Sequence, residues 1–227
     1  MIKQRTKEWY RARIGKFTAS NFANLMAKPA DKSALWSKSA LNTIEKAAAQ
    51  LYYNDYYERP NTNSTSWGND NENKAIFEFQ KKLDCEISEA GFILHPEIKD
   101  IGATPDVFIK YNNEISIAQI KCPFSEEIHL KYCQKIFDAQ SLKKTKSEYF
   151  WQIQGEIWIT NSQYCYFVSF NPRLNNSNRL HYAKIDRDDN AINQLKLQIY
   201  NSIKLRDEIL QKFLDKQIRP KSLDSYW

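Results

Sequence analysis

The sequence lacks the features that mark several common classes of protein. Its four cysteines and three histidines are widely scattered, and no two cysteines form a C-x-x-C pair, which argues against a zinc or iron–sulfur site. No apolar run approaches the roughly 20 residues of a membrane-spanning helix. The opening residues, Met-Ile-Lys-Gln-Arg, do not resemble a secretory signal. We therefore expect a soluble, intracellular protein with reduced cysteines and no membrane partner.

Internal repeats, low-complexity segments and shifts of composition are also absent from the 227 residues. We expect residues 1–227 to form a single domain, with about 217–227 as a candidate C-terminal tail. A hydrophobic fraction of 42% and an aromatic fraction of 14% are typical of a folded chain. The net charge of +6 permits nucleic-acid binding but does not establish it.

Hydrophobic spacing predicts an α/β fold in which a small mixed β-sheet is flanked by helices on both sides. Polar residues at 54–66 indicate a surface loop, and Lys143, Lys144 and Lys146 indicate a basic connector. The predicted helices cover residues 8–14, 18 or 20 to about 27, 37–53, 67–83, a segment that begins after Ser125, 147–160, and 188 to about 216. The predicted strands cover residues 86–94, two arms of a hairpin within 102–124, 164–170 and 180–185.

The hairpin within residues 102–124 carries most of the candidate chemistry. Two runs rich in β-branched residues flank the Asn-Asn pair at 112–113, which suits a tight turn. Asp106 lies near the start of the first strand, and Gln119 and Lys121 share one face of the second. A carboxylate, an amide and an ammonium at one end of a hairpin suit a divalent cation and a phosphate. The alternative is an ordinary hairpin with surface charges.

Two predicted helices add polar residues next to their apolar sides. Glu72 continues the apolar stripe of helix 67–83 instead of facing water. Gln152 and Glu156 lie one turn apart on a face adjoining the buried side of helix 147–160. A carboxylate in the first turn of a helix and an amide on a helix surface are also common without any function. Neither position alone indicates a site.

Five sequence blocks in order resemble the lambda-exonuclease, or YqaJ-like, viral recombinase family of the PD-(D/E)-x-K nuclease superfamily. The superfamily motif is matched by Thr104-Pro105-Asp106 and by Gln119-Ile120-Lys121, which continues as K-C-P-F to residue 124. The other blocks are R-x-G-x-x-T-A-S at 13–20, W-G-x-x-x-E at 67–72, Q-x-Q-x-x-x-W-x-T at 152–160, and N-P-R at 171–173. Together they indicate a PD-(D/E)-x-K nuclease-like core.

The resemblance assigns catalytic and metal-binding roles residue by residue. It implies Mg²⁺ as the cofactor, with Mn²⁺ as a substitute. Lys121 would be the catalytic lysine, and Gln152 would lie near the scissile phosphate. The catalytic residues would be Asp106, Gln119, Lys121, Glu72 and Gln152, and the metal would be held by Asp106, Gln119, Glu72 and the Ile120 carbonyl.

A second group of residues resembles a pocket for a 5′-terminal phosphate and for DNA. Its members would be Arg13, Thr18, Ser20, Thr104 and Gln154. Hydroxyls and free amides at a helix N-terminus beside an arginine do bind anions. Helix capping explains Thr18 or Ser20 equally well, so Arg13 is the informative member.

The activity implied by the resemblance is a Mg²⁺-dependent 5′→3′ exonuclease on double-stranded DNA. It would degrade the 5′-phosphorylated strand and leave a 3′ single strand for a single-strand-annealing protein of a phage-type recombination system. The resemblance also implies a homotrimer that binds duplex ends in the cytoplasm of a bacterial host. The alternatives are a DNA-end-binding module without catalysis and an endonuclease of the same fold.

Gln119 is the one departure within the catalytic motif, because the family has glutamate there. Glutamine is neutral and a weaker ligand for Mg²⁺, and losing a few kcal/mol of transition-state stabilisation slows a reaction ~10²-fold or more. Three explanations fit: a deliberately inactivated form, a natural active variant in which Glu72 compensates, or a silent homologue kept for DNA binding. The sequence favours the first, because every other motif position is intact.

Overall fold

The computed structural model describes residues 2–55, 63–175 and 178–216. The candidate tail at 217–227 and residues 56–62 of the predicted loop lie outside the described residues. The helices are α1 (Lys7–Ala12), α2 (Phe22–Leu25), α3 (Lys38–Tyr53), α4 (Asn63–Leu83), α5 (Glu126–Lys135), α6 (Ala139–Thr145), α7 (Ser147–Thr160) and α8 (Asp189–Asp215). The strands are β1 (Phe17–Thr18), β2 (Glu86–Glu89), β3 (Ile93–Leu94), β4 (Ile101–Ala103), β5 (Val107–Tyr111), β6 (Glu114–Lys121), β7 (Tyr164–Phe170) and β8 (Leu180–Asp186).

A five-stranded mixed sheet in the order β2-β5-β6-β7-β8 organises the fold. Strands β6 and β7 run parallel, and the other neighbours run antiparallel. Alternate residues of β6 point to opposite faces, so Ile117 joins a core with α7 and Ile120 joins a core with Phe79 of α4. The predicted small mixed sheet with helices on both sides is confirmed. None of the described helices is long and apolar enough to cross a lipid bilayer.

The predicted hairpin is formed by β5 and β6. Asn112 and Asn113 both have positive φ, at 49° and 64°, and asparagine tolerates this conformation better than most residues. The antiparallel register pairs Val107 with Ala118. Asp106 immediately precedes β5, so the same register brings it opposite Gln119.

Three expectations about element boundaries were wrong. The predicted strand 86–94 is two strands in different sheets, because β2 pairs with β5 whereas β3 pairs with β4. The chain changes sheet between Glu89 and Ile93, and Phe92 in this link packs so closely on β4 that a Cβ on Gly102 would lie 2.4 Å from its ring. Helix α4 begins at Asn63, which shortens the predicted loop, and the helix expected up to residue 27 ends at Leu25.

The prediction of a basic connector was also wrong, because Lys143 and Lys144 lie in the last turn of helix α6. This short helix is fixed by a capping box in which Asp138 and Ser141 bond reciprocally, and Leu142 is buried below it. A 3₁₀ turn at Ala19–Asn21 likewise replaces the start of the helix expected at Thr18 or Ser20. Thr18 occupies the cap position of that turn but makes no side-chain capping bond.

Helix α7 approaches the N-terminal part of the chain at a glycine. A Cβ on Gly155 would lie 2.3 Å from the Phe22 ring and 3.5 Å from the Ala19 side chain. All three residues are buried, so only glycine permits this spacing. The contact holds the segment that carries Thr18 and Ser20 against the helix that carries Gln152.

Candidate active site

Asp106 is the centre of a polar group at the open end of the hairpin. Its Oδ2 accepts hydrogen bonds from the Gln119 side-chain amide and from the Ile120 backbone N–H, both at 2.6 Å. Burial raises the pKa of Asp106 to about 7, with Lys121 opposing the shift and Glu72 adding to it. A carboxyl group in this condition gains from a nearby cation, which would keep it ionised.

Lys121 lies at the end of β6 and joins the hairpin to α7. Its Nζ donates to the Gln152 Oε1 at 3.4 Å and lies 4.7 Å from the centroid of the Tyr149 ring. The Gln152 Nε2 in turn donates to Oε1 of Glu156 at 2.9 Å. The chain of contacts fixes the amide so that its oxygen faces the ammonium.

Glu72 forms a wall of the same cleft from α4. Its Oε2 lies 3.2 Å from Nη2 of Arg5, which also donates to Asn69 at 2.8 Å. The cleft has a volume of about 710 Å³, and Glu72, Asp106, Gln119 and Lys121 all line it. The structure therefore brings the predicted catalytic residues together, although their roles stay predictions.

The donor set at this site fits a hard divalent cation. Oε1 of Gln119 is buried and accepts no hydrogen bond within the described chain, although such an oxygen normally has a partner. Mg²⁺ takes oxygen ligands and keeps several waters, so a few protein oxygens suffice. Among the described residues, no three His, Cys, Asp or Glu side chains group together as metal ligands. A cation here would rely on an amide and a backbone carbonyl as well as on carboxylates.

The predicted anion pocket is assembled around Arg13. Its guanidinium donates to Thr104 and to Thr18, each at 3.4 Å, and stacks 3.9 Å from the centroid of the Trp9 ring. The Thr18 and Ser20 hydroxyls lie 3.0 Å apart. Four of the five predicted phosphate-binding residues are therefore one cluster, and Thr104 places it two residues from Asp106.

Gln154 is the predicted site residue that the structure does not bring to this cluster. It is fully buried. Its Nε2 donates to the Asp186 carbonyl at 2.9 Å, and its Oε1 accepts from the Asp188 N–H at 2.8 Å. These bonds connect α7 to the start of α8, so the geometry indicates a structural role in place of the predicted contact with DNA.

Two features of the site were not predicted. Glu156 is only 1% exposed, and burial raises its pKa to about 8, with the Gln152 hydrogen bond opposing the shift and the charge of Asp106 adding to it. Arg173 lies 4.1 Å from the Trp67 ring centroid and 4.6 Å from that of Phe124. The four-residue spacing from Gln152 could have indicated that Glu156 lies on the same side of α7, but it could not show how deeply the carboxyl group is buried.

The fold and the site define a nuclease of the PD-(D/E)-x-K class. Residues 8–163 match the model of the YqaJ-like viral recombinase domain, and the chain belongs to that family. This confirms the resemblance seen in the sequence blocks. Membership of this family indicates a nuclease that acts on DNA, and nucleases of this kind generally use divalent metal ions.

Solved structures give the same result. The chain is similar to an alkaline exonuclease, LHK-Exo, from Laribacter hongkongensis, with 26% identity, a TM-score of 0.79, and coverage of 93% of this chain and 97% of that one. The same exonuclease in complex with dAMP gives 26% identity, a TM-score of 0.78 and the same coverage. A phage-related exonuclease from Haemophilus somnus 129PT, at 15% identity, shares the fold with a TM-score of 0.70, covering 87% of this chain and 96% of that one. No curated protein sequence matches this chain.

Proposed function

We propose that this protein is a Mg²⁺-dependent 5′→3′ exonuclease that degrades the 5′-phosphorylated strand of double-stranded DNA. The observation that carries the proposal is the short link between the two polar clusters. Thr104 contacts Arg13, and Asp106, two residues later, immediately precedes the first strand of the hairpin. A phosphate bound by Arg13 would be held at a short, fixed distance from the carboxylate site, which is what cleavage counted from a 5′ end requires.

The residues of the cleft fit hydrolysis of a phosphodiester. Asp106, Glu72, Oε1 of Gln119 and the Ile120 carbonyl would hold the metal. When bound, the metal supplies a polarised water and neutralises charge on the scissile phosphate. Lys121 adds a positioned ammonium beside the phosphate oxygens. Its contact with Gln152 keeps that ammonium on the cleft side. The product would be a 5′-phosphorylated nucleotide and a 3′ single strand.

The finer partners of the reaction are part of the same proposal. Family membership supports action with a single-strand-annealing protein in a phage-type recombination system. It also supports a homotrimer through which the duplex threads, and a location in the cytoplasm of a bacterial host. Binding that is largely electrostatic would weaken steeply as salt rises.

Gln119 favours a second candidate, a DNA-end-binding module without catalysis. An amide in place of a carboxylate removes one negative charge from the metal site. The module would keep the Arg13 cluster and bind duplex ends without cutting them.

Digestion of defined DNA ends tests the proposal. The unchanged protein and a Gln119→Glu variant are incubated with Mg²⁺ and a linear duplex carrying 5′-phosphates, and also with a covalently closed circle. The matched control is Glu86→Gln, which removes an exposed carboxylate from β2 at the edge of the sheet. Loss of the 5′ strand from linear DNA alone supports the exonuclease. Cutting of the circle would indicate an endonuclease, and no digestion by any protein would leave the end-binding module.

A further inference from the structure

Helix α7 buries a carboxylate that the reaction described above does not use. Glu156 is 1% exposed, and Oε1 accepts from the Gln152 amide at 2.9 Å. Oε2 is also buried and has no hydrogen-bond partner within the described chain. Burying an acidic oxygen without a partner costs free energy, whether the group is ionised or protonated. The arrangement therefore calls for a partner that the described part of the chain does not provide.

The same part of the molecule buries a second oxygen without a partner. Gln119 is 4% exposed, and its Oε1 also accepts no hydrogen bond from any residue that the structure describes. Gln119 lies on the face of β6 that Ile117 occupies, two residues earlier, and Ile117 packs in the core that contains α7. Both unpartnered oxygens therefore belong to the layer between β6 and α7.

Two hydrogen bonds connect Glu156 to the candidate metal site, because its Oε1 accepts from the Gln152 amide at 2.9 Å and Oε1 of Gln152 accepts from Nζ of Lys121 at 3.4 Å. The charges of Asp106 and Lys121 both affect the Glu156 carboxyl group. Cys165 pairs with Ile117 on the neighbouring strand, and burial raises its pKa, with Glu156 and Asp106 both adding to the shift. Glu156 is therefore separated from Lys121 by one side chain, and Lys121 lies two residues along β6 from the position where the related motif has an acid.

We propose that Glu156 is a carboxylate ligand of the metal site, supplied by α7 in place of the acid that β6 lacks at position 119. The ligand is a hard divalent cation, Mg²⁺ or Mn²⁺, which prefers carboxylate and amide oxygens. Oε2 of Glu156 and Oε1 of Gln119 would both gain the positive partner that they lack. This inference rests on the proposed function, and it favours a natural, active variant over an inactivated form.

The main rival is a purely structural role for Glu156. In that case the side chain only orients the Gln152 amide, whose oxygen then faces Lys121. A Glu156→Gln variant keeps the acceptor oxygen that this contact needs and removes only the acidic group. It therefore separates orientation of Gln152 from binding of a cation.

Binding of Mn²⁺, measured by calorimetry and by electron paramagnetic resonance, tests the proposal without relying on activity. The proteins are the unchanged chain, Glu156→Gln, the exchange variant Gln119→Glu/Glu156→Gln, and the control Glu86→Gln. We expect Glu156→Gln to weaken Mn²⁺ binding at least about tenfold, the exchange variant to recover most of the affinity, and the control to bind like the unchanged chain. Thermal unfolding without metal confirms that each variant is folded.

Equal Mn²⁺ affinity of Glu156→Gln and the unchanged chain would overturn the proposal. Digestion of linear duplex by the same four proteins separates this failure from failure of the proposed function. If the unchanged chain and Glu156→Gln digest DNA equally well, the exonuclease stands and the role of Glu156 is wrong. If Mn²⁺ binding depends on Glu156 but none of the proteins digests DNA, the metal site stands and the proposed function fails.

Discussion

Replacing Arg13 should remove the ability of the protein to distinguish a phosphorylated 5′ end from a hydroxylated one. The guanidinium contacts Thr18 and Thr104 and stacks on Trp9, which holds it in a defined orientation beside two hydroxyls. An arginine in such a position can donate two parallel hydrogen bonds to a phosphate. Without it, the phosphate would keep only neutral hydroxyl donors.

The expected size of the effect follows from the charge of the contact. A hydrogen bond to a charged group contributes about 1.5–3 kcal/mol, which corresponds to about 10- to 150-fold in affinity. We expect the lower part of this range for Arg13→Gln, because Thr18 and Ser20 remain available. Arg13→Lys should keep part of the preference, since lysine retains the charge but not the planar fork of donors.

The assay measures affinity for two duplexes that differ only in the 5′ group, by fluorescence anisotropy in Ca²⁺ and at fixed salt. Binding avoids any dependence on the activity of the Gln119 protein, and the ratio of the two affinities cancels general losses of DNA binding. Arg11→Gln is the matched control, because Arg11 is exposed on α1, the short helix that ends just before Arg13. If Arg13→Gln weakens binding to both duplexes by the same factor, Arg13 does not recognise the 5′-phosphate.

Three further predictions concern stability. Gly155→Ala should lower the free energy of unfolding by about 1–3 kcal/mol, because the added methyl group would overlap the buried Phe22 ring. The control Gly68→Ala, where an added Cβ would have nothing within 4 Å, should be neutral or stabilising by up to about 1 kcal/mol. Equal urea midpoints for the two variants would contradict the close contact at Gly155. Arg206→Ala should lower the free energy of unfolding by about 1–3 kcal/mol, because this arginine is only 4% exposed, donates to the Gly15 carbonyl at 2.8 Å and forms two ion pairs. An unchanged melting temperature would show that solvent replaces these contacts. Burial lowers the pKa of His129 below its ordinary 6.5, so below that pH the unfolded chain binds more protons at this residue than the folded chain does. The stabilising contribution of the neutral His129 is therefore complete above about pH 6.5 and is lost as pH falls. His129→Gln should therefore lose less stability between pH 7.5 and 5.5 than the unchanged chain in urea titrations, and parallel losses would contradict that assignment.

Spacing within one strand or turn made the hairpin site predictable. Gln119 and Lys121 share a face by the period of two, and the Asn112-Asn113 turn sets the register that brings Asp106 opposite Gln119. The sheet that carries them followed from the alternation of apolar residues. These features depend on local geometry, which the order of residues determines directly.

Features that depend on how elements pack could not be predicted in the same way. Gln154 belongs to the same motif as Gln152, yet its side chain bonds to the backbone before α8. Glu156 follows Gln152 by one turn, and only the close approach at Gly155 and the contact of α7 with the sheet show that it is buried. Periodicity gives the face of a helix but not the distance of that face from a strand far away in the sequence.

A metal site requires oxygen atoms at certain points in space, and the chain positions that supply them are free to differ. Strand β6 and helix α7 contribute to the same core, and Lys121 of β6 contacts Gln152 of α7, so a carboxylate on either element is a candidate for the site. An acid missing from β6 therefore does not by itself mean that the charge is missing from the site. Under the proposal above, Glu156 would supply from α7 the acidic group that position 119 lacks, because its Oε2 and the Oε1 of Gln119 are both buried without a hydrogen-bond partner among the described residues. For this chain, a search limited to the strand motif would overlook the acid on helix α7 that the Mn²⁺-binding comparison of Glu156→Gln tests.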